Sequence, residues 1–270
     1  MAQKAKIQKF NSINEFTAYL NSGRTNPNWP SYHYMSERNS ERFAGTADYE
    51  TADRLLQYGD DRSFAALKDA GLQVTNTTAT QYKRTIYSSV VGALPNVPAY
   101  VAGAPNSMIA QKRVAVAKKV VNICYDISFA CDIPAATITK IGVALVNQIR
   151  KIEASGQRCN LYISFAPTIE GNNYGLFLKI KDAGQSFDLK KLAYPLVNPS
   201  MLRRHFFRYI EVTEGIPYAP TYGTSVVDTE KLRNIYGAYL DNMLLVHGGY
   251  IATWRDHEIE KAVEDALTSR

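Results

Sequence analysis

Apolar residues recur at helical spacing in the first quarter of the chain, where three helices are predicted. The first lies within residues 1–22, and its apolar face is formed by Ile7, Phe10, Ile13, Phe16 and Leu20. A second helix is expected to begin at the capping side chains of residues 46–48 and to end at Gly59, and a third to cover residues 63–70. Between the first two, the polar, proline-containing residues 23–41 predict a loop or an extended arm.

A pattern rich in valine and isoleucine begins at Lys112 and predicts an α/β core. Residues 112–130 are expected to form one long strand or two short ones, and residues 134–155 a helix. Two further strands are expected within residues 158–168 and 174–183. A strand, a helical crossover and a second strand make a βαβ unit with a parallel pair, so the centre of the fold should be a parallel sheet.

The remaining pattern divides the chain into four regions of one compact domain. These are a helical N-terminal region (1–72), a Pro/Gly-rich segment (73–111), the α/β core (112–210) and acidic C-terminal helices (211–270). The Pro/Gly-rich segment is too apolar for a solvated linker, and we expect it to pack against the rest of the domain. Helices are further expected over residues 188–192, 199–209, 228–246 and 254–268.

Composition changes this picture little. Apolar residues make up 46% of the chain and charged residues 21%, which is typical of a globular domain with a sizeable core. There is neither a long apolar run nor a secretory signal, so a location in the cytoplasm is expected and membrane contact is not. Cys124, Cys131 and Cys159 are odd in number and lack CxxC spacing, which argues against disulfides and zinc; no cofactor is expected.

Charge, by contrast, is strongly segregated. Residues 70–125 contain no Asp or Glu, and their six basic residues give this window a charge of +6, equal to the net charge of the chain. They occur as three doublets, Lys83–Arg84, Lys112–Arg113 and Lys118–Lys119. Positive potential without nearby carboxylates attracts polyanions, of which nucleic acid is the commonest in a cell. A solvated basic face on an ordinary domain is the alternative.

Aromatic residues accompany the basic ones in two places. Tyr82 and Tyr87 flank the first doublet, and Phe206 lies within a second basic cluster whose arginines are Arg203, Arg204 and Arg208. Proteins that bind single strands typically use lysine and arginine to contact phosphates and aromatic rings to stack on bases. We therefore predict that all these residues line a nucleic-acid path. The alternative, that the aromatic side chains fill the core, stays open from the sequence.

Residues 211–270 have the opposite charge, with ten acidic residues against five basic ones. The last predicted helix carries several of these acids beside an apolar stripe formed by Trp254, Ile259, Val263 and Leu267. An acidic surface would repel DNA and could dock a protein partner. The alternative is the solvated face of a packed terminal helix.

Signals for catalysis are few. Asp126 and Ser128 form an Asp-x-Ser pair at the end of a predicted strand, where α/β sheets bind ligands. A von Willebrand A-type metal site begins with such a pair but has a second serine where this chain has Ala130. No P-loop, GxSxG, HExxH or zinc-deaminase motif is present, and the four histidines have no partner in register. We expect a protein that is not an enzyme and holds no metal.

Three stretches together resemble a family of largely uncharacterised phage proteins with a von Willebrand A-like α/β core. They are ERFAGTADYETADRLLQYGD (41–60), ALPNVPAYVAGAPNSM (93–108) and residues 120–165. The functional family that the chain resembles is the single-stranded-DNA-binding proteins of schitovirus podophages. The resemblance implies a protein of the infected bacterial cytoplasm that coats single strands during replication. It also implies recruitment of the phage RNA polymerase, but marks no base-contacting residue.

These observations predict a phage protein that binds single-stranded DNA without strong sequence preference and forms homo-oligomers. Partners such as phage RNA polymerase or replication proteins would use the acidic C-terminal region. One alternative is a structural or assembly protein whose basic face binds another protein. A further alternative is a metal-dependent nuclease that uses Asp126.

Overall fold

The computed structural model describes residues 5–69, 82–115, 119–255 and 257–268, with residues 82–84 and 113–115 described by their backbone alone. The strands are β1 (Lys6–Phe10), β2 (Tyr82–Ser89), β3 (Leu94–Pro95), β4 (Met108–Ala115), β5 (Val120–Asp126), β6 (Arg158–Phe165), β7 (Thr168–Ile169), β8 (Asn172–Lys181) and β9 (Met243–His247). The helices are α1 (Ile13–Leu20), α2 (Met35–Arg38), α3 (Glu41–Ala44), α4 (Tyr49–Tyr58), α5 (Asp61–Asp69), α6 (Val97–Val101), α7 (Ala135–Ala154), α8 (Leu189–Val197), α9 (Phe207–Val212), α10 (Thr229–Tyr236), α11 (Gly248–Ile251) and α12 (Ile259–Thr268). A π-helical turn, Met201–Phe206, runs directly into α9.

The main sheet has the strand order β1-β8-β6-β5-β9, with the short β7 beside β8. Strands β6, β5 and β9 are parallel to one another, β8 is antiparallel to β6, and β1 is parallel to β8. The predicted βαβ unit is confirmed as β5–α7–β6. The chain is therefore a mixed α/β protein with a mostly parallel central sheet, as the sequence predicted.

Two apolar clusters cover the two faces of this sheet. Alternate residues of β5 and β6 point to opposite sides, so Ile123 joins the larger cluster beneath α7 while its neighbour Cys124 joins the smaller one beneath α10. Helix α7 packs closely on α8 because Gly142 lies at their contact. A Cβ added at Gly142 would come within 2.1 Å of the Leu196 carbonyl oxygen.

Several predicted helix boundaries are confirmed. Helix α4 begins after Asp48, whose carboxylate accepts a hydrogen bond from the Thr51 backbone N–H, and it ends at Gly59, whose φ of 100° favours glycine. Helix α7 begins after Pro134, as predicted.

The two strands at the edges of the main sheet were wrongly predicted as parts of helices. β1 is a strand because it pairs with β8, and α1 begins only at Ile13, where the Ser12 side chain caps its N-terminus. The pattern predicts a helix over residues 228–246 that would include β9. The observed helix ends at Tyr236, and the apolar residues of β9 pair with β5 instead. The core sheet therefore takes its edges from the two ends of the chain.

Residues 82–115, which we call the arm, form a separate three-stranded sheet with the order β2-β4-β3 and the short helix α6. Every described side chain from Thr85 to Lys112 is exposed or half-buried, and none belongs to either apolar cluster. Over residues 85–111 the expected packing of this Pro/Gly-rich segment against the domain is not found, and its residues 73–81 lie outside the described part of the chain. The boundary proposed at residues 111/112 also falls inside β4.

No helix within the described ranges has the length and apolar character needed to cross a bilayer.

Candidate nucleic-acid interface

The arm brings two of the predicted basic doublets together. In the antiparallel pairing of β2 and β4, Arg84 lies directly opposite Arg113, and Thr85 lies opposite Lys112. The first and second doublets are therefore side by side near the base of the arm. Since the arm has no acidic residue, its charge is +4.

The described side chains of this region are accessible. Lys112 and Lys119 are exposed, Tyr87 is 47% exposed and Tyr100 is 73% exposed. Tyr87 pairs with Ala110, two residues from Lys112 along β4, so Tyr87 and Lys112 belong to the same face of the arm. The side chains of Tyr82, Lys83, Arg84 and Arg113 and the whole of Lys118 lie outside the described part of the chain.

A cleft of about 660 Å³ lies at the foot of the arm, where β5 and β9 begin. Its polar lining includes Lys119, Asn122, Arg233, Asp241 and Asn242. Arg233 belongs to the region interpreted from the sequence as acidic, and its proximity to Lys119 was not predicted. The signal that could have found it is the parallel pairing of β9 with β5, which places the end of α10 beside the start of β5.

Arg204 is buried, and its predicted contact with DNA is wrong. Its guanidinium donates hydrogen bonds of 2.7–3.1 Å to four backbone carbonyl oxygens, those of Ser36, Asn39, Thr46 and Ala47. Burial lowers its pKa. The side chain thus ties the N-terminal loops to the core.

Arg203 and Phe206 are also removed from the predicted path. Arg203 is 3% exposed, and its guanidinium donates to the carbonyl oxygens of Phe43 and Ile133, both at 2.7 Å. Phe206 is fully buried and packs edge-to-face on Phe16. Both residues lie in the π-helical turn, all six residues of which are buried. For Phe206 the alternative interpretation, that the aromatic side chain fills the core, is therefore the correct one.

Arg208 lies nearer the surface, with 20% of its side chain exposed. It forms an ion pair with Glu37 at 3.0 Å, and its guanidinium lies over the rings of Tyr34 and Tyr49. Its charge therefore has a protein partner already. Burial thus removes Arg203 and Arg204 from the predicted path, whereas the contact predicted for Arg208 stays a prediction.

A buried polar row crosses the carboxyl ends of three parallel strands. Asp126 of β5 is in register with Ser164 of β6 and His247 of β9, and all three are at most 3% exposed. The carboxylate of Asp126 accepts from the Ser164 hydroxyl at 2.8 Å and from the Ser128 N–H at 3.1 Å. The Ser128 hydroxyl in turn accepts from the Ala166 N–H at 3.0 Å.

His247 completes this row. Its Nε2 lies 2.8 Å from the Val226 carbonyl oxygen and 3.8 Å from Asp126, and its Nδ1 lies 3.2 Å from the Thr229 hydroxyl. A ring protonated at Nε2 satisfies both hydrogen bonds. Burial raises the pKa of Asp126, which favours its neutral form.

The geometry does not fit the magnesium site that an Asp-x-Ser pair suggests. Both carboxylate oxygens of Asp126 and the Ser128 hydroxyl already have backbone or side-chain partners. Gly248 packs so closely here that an added Cβ would lie 2.7 Å from the Asp126 carbonyl oxygen. Among the described residues, no three His, Cys, Asp or Glu side chains are grouped to hold a metal ion. The row instead stabilises the end of the sheet.

The C-terminal helix α12 buries Ile259, Val263 and Leu267, as its predicted stripe requires. Trp254, the fourth predicted member, is 38% exposed. The opposite face of α12 carries the exposed Glu260 and Glu264.

Comparison with known proteins places this fold in a family without assigning it an activity. No curated protein and no solved structure matches the chain. The model of one family, the domain of unknown function DUF7192, matches residues 2–255, which include both the arm and the main sheet. The chain therefore belongs to the DUF7192 family.

Proposed function

We propose that this chain is a phage protein that binds single-stranded DNA without strong sequence preference, through the arm and the cleft at its foot. The observation that carries the proposal is the pairing of β2 with β4, which brings two basic doublets together on an element without acidic residues. Like charges directly opposite each other in a sheet are unfavourable. A phosphate backbone between Arg84 and Arg113 would remove this repulsion.

The arm also offers surfaces for bases. Tyr87 shares a face with Lys112, and diagonal neighbours in a sheet are about 7–8 Å apart. A phosphate held by Lys112 would leave the attached base near the ring of Tyr87. Stacking on an aromatic ring tolerates any base, which agrees with binding that is independent of sequence.

The cleft continues this path onto the body of the protein. Lys119, four residues beyond the arm, lines the cleft, where Arg233 adds a second positive charge and Asp241 a negative one. Its volume lies within the ~300–1,000 Å³ typical of ligand sites. The proposed path therefore runs from the arm through Lys119 to Arg233, and it replaces the extension through Arg203 and Arg204.

The finer assignment of the fold and the biological role belong to the same proposal. An Asp-x-Ser pair at the carboxyl end of the inner strand β5 supports a von Willebrand A-like core whose metal site has become structural. The roles in phage replication and in recruiting phage RNA polymerase in the host cytoplasm rest on the resemblance of residues 41–60, 93–108 and 120–165.

Fluorescence anisotropy of a labelled oligo-dT across a salt series tests the proposal. Affinity should fall with salt, and Lys112→Gln and Lys119→Gln should each reduce the slope of log K against log salt by about 0.7, the value for one phosphate on a single strand. Lys151→Gln, at an exposed position of α7, is the control and should leave the slope unchanged. An oligonucleotide of mixed sequence should bind within a few-fold of oligo-dT.

Absent binding, or binding that salt does not weaken, would refute this function. The second candidate is a structural or assembly protein, which is favoured by the exposed aliphatic side chains of the arm. Size-exclusion chromatography with light scattering, with and without DNA, separates the two. A large assembly that is indifferent to DNA would favour the second candidate.

A further inference from the structure

The arm carries a concentration of exposed apolar side chains beyond Tyr87 that the proposed DNA binding does not use. Seven large apolar residues of the arm are 60–80% exposed, namely Ile86, Val90, Val91, Leu94, Val97, Tyr100 and Val101. Three-stranded sheets need a hydrophobic face or a packed helix to be stable on their own. An apolar surface of this kind marks an interaction site, and the same molecule carries a surface that complements it.

That surface lies at α11 and α12. Tyr250 and Trp254 are 44% and 38% exposed, and their rings meet edge-to-face with centroids 5.9 Å apart. Glu260 and Glu264 follow on the exposed face of α12, one turn apart, and the exposed Lys261 offsets part of their negative charge. We call the two aromatic residues and the two glutamates the aromatic–acidic patch. It combines apolar rings with negative charge, and the arm combines apolar side chains with positive charge.

The arm and the aromatic part of the patch lie at opposite ends of β5. The arm joins the body at the start of β5, and the other end of β5, Asp126, is in register with His247, which leads directly into α11. Seven residues of strand span about 20 Å. The side chains of the arm are exposed, so the arm does not fold back onto the patch of its own chain.

We propose that the arm of one copy docks on the aromatic–acidic patch of a second copy. The contact would cover both apolar surfaces and would place Lys112 and its basic neighbours beside Glu260 and Glu264. Because the two surfaces differ, the contact is head-to-tail. Such contacts repeat into a ring or a filament in which every copy has the same direction. The inference does not depend on DNA binding.

Sedimentation velocity of the full chain without DNA tests this directly. The average mass should rise above the monomer mass of 30.2 kDa as concentration increases, and should fall at high salt because opposite charges are screened. An arm variant, Val90→Asp/Val101→Asp, and a patch variant, Trp254→Ala/Glu260→Lys, should each weaken association at least about tenfold. Tyr58→Asp, at a position 71% exposed on α4, is the matched control and should associate normally.

The decisive measurement is an equimolar mixture of the two variants. The patch variant keeps an intact arm and the arm variant keeps an intact patch, so together they should form a dimer of twice 30.2 kDa that cannot grow further. Recovery in the mixture also shows that both variants are folded. A monomeric wild-type protein would overturn the proposal. So would normal self-association of the patch variant, because that result would indicate contacts between two arms.

Discussion

Replacing Arg204 by lysine should destabilise the folded protein by about 3 kcal/mol without changing its affinity for DNA. The guanidinium donates to four carbonyl oxygens contributed by residues 36–47, and the side chain is fully buried. Lysine keeps the charge but has a single ammonium group and lacks the planar fork. We expect it to lose at least two of these hydrogen bonds. Hydrogen bonds from a charged donor contribute about 1.5 kcal/mol each at the lower limit, which gives the total.

Urea unfolding measures this loss. For a urea m-value of about 3 kcal/mol/M, the midpoint should fall by about 1 M at an unchanged slope. Arg62→Lys is the control, because the Arg62 side chain is 88% exposed and its ion pair with Glu41, at 3.6 Å, should contribute less than about 1 kcal/mol.

The oligo-dT titration on the same variant separates burial from binding. A variant that is as stable as the wild type but binds DNA more weakly would refute the reasoning, since it would mean that Arg204 reaches the ligand after all.

Two further outcomes follow from packing and exposure. Gly142→Ala should destabilise the protein by about 2 kcal/mol in urea unfolding, because the new Cβ meets the Leu196 carbonyl oxygen and the overlap outweighs the higher helix propensity of alanine; equal or greater stability would contradict the close packing of α7 on α8. Of the three cysteines, Cys131 alone should react rapidly with a thiol reagent in the native protein, since Cys124 and Cys159 are buried and burial raises the pKa of the Cys159 thiol to about 12; fast labelling of two or three thiols would contradict this.

The centre of the fold could be predicted because its pattern is long and local. The stripe of α7 and the valine- and isoleucine-rich strands beside it leave few alternatives to a βαβ unit. The edge strands were missed because β1 and β9 are five residues each, and short apolar runs suit a helix as well as a strand. Only long-range pairing with β8 and β5 decides between them.

The candidate site was predictable in part for a similar reason. An acid-free window is visible in the sequence, and the arm keeps its two doublets together. The burial of Arg203 and Arg204 was not predictable, because their partners are backbone carbonyl oxygens 70 to 168 residues earlier in the chain and carry no sequence signal. Arg233 could not be assigned to the cleft from the sequence, because the strand that brings it there, β9, was predicted to be part of a helix.

The placement of both sheet edges at the ends of the chain bears on how the protein folds. The pairings of the arm all lie within residues 82–115, so the arm can form early from local contacts. β1 must wait for β8, and the edge of β5 stays open until residues 243–247 have been synthesised. We therefore expect newly made chains to expose the apolar arm and the unpaired edge of β5 together from the completion of β5 until β9 has been made. In that interval the protein would be most prone to aggregation and most dependent on chaperones.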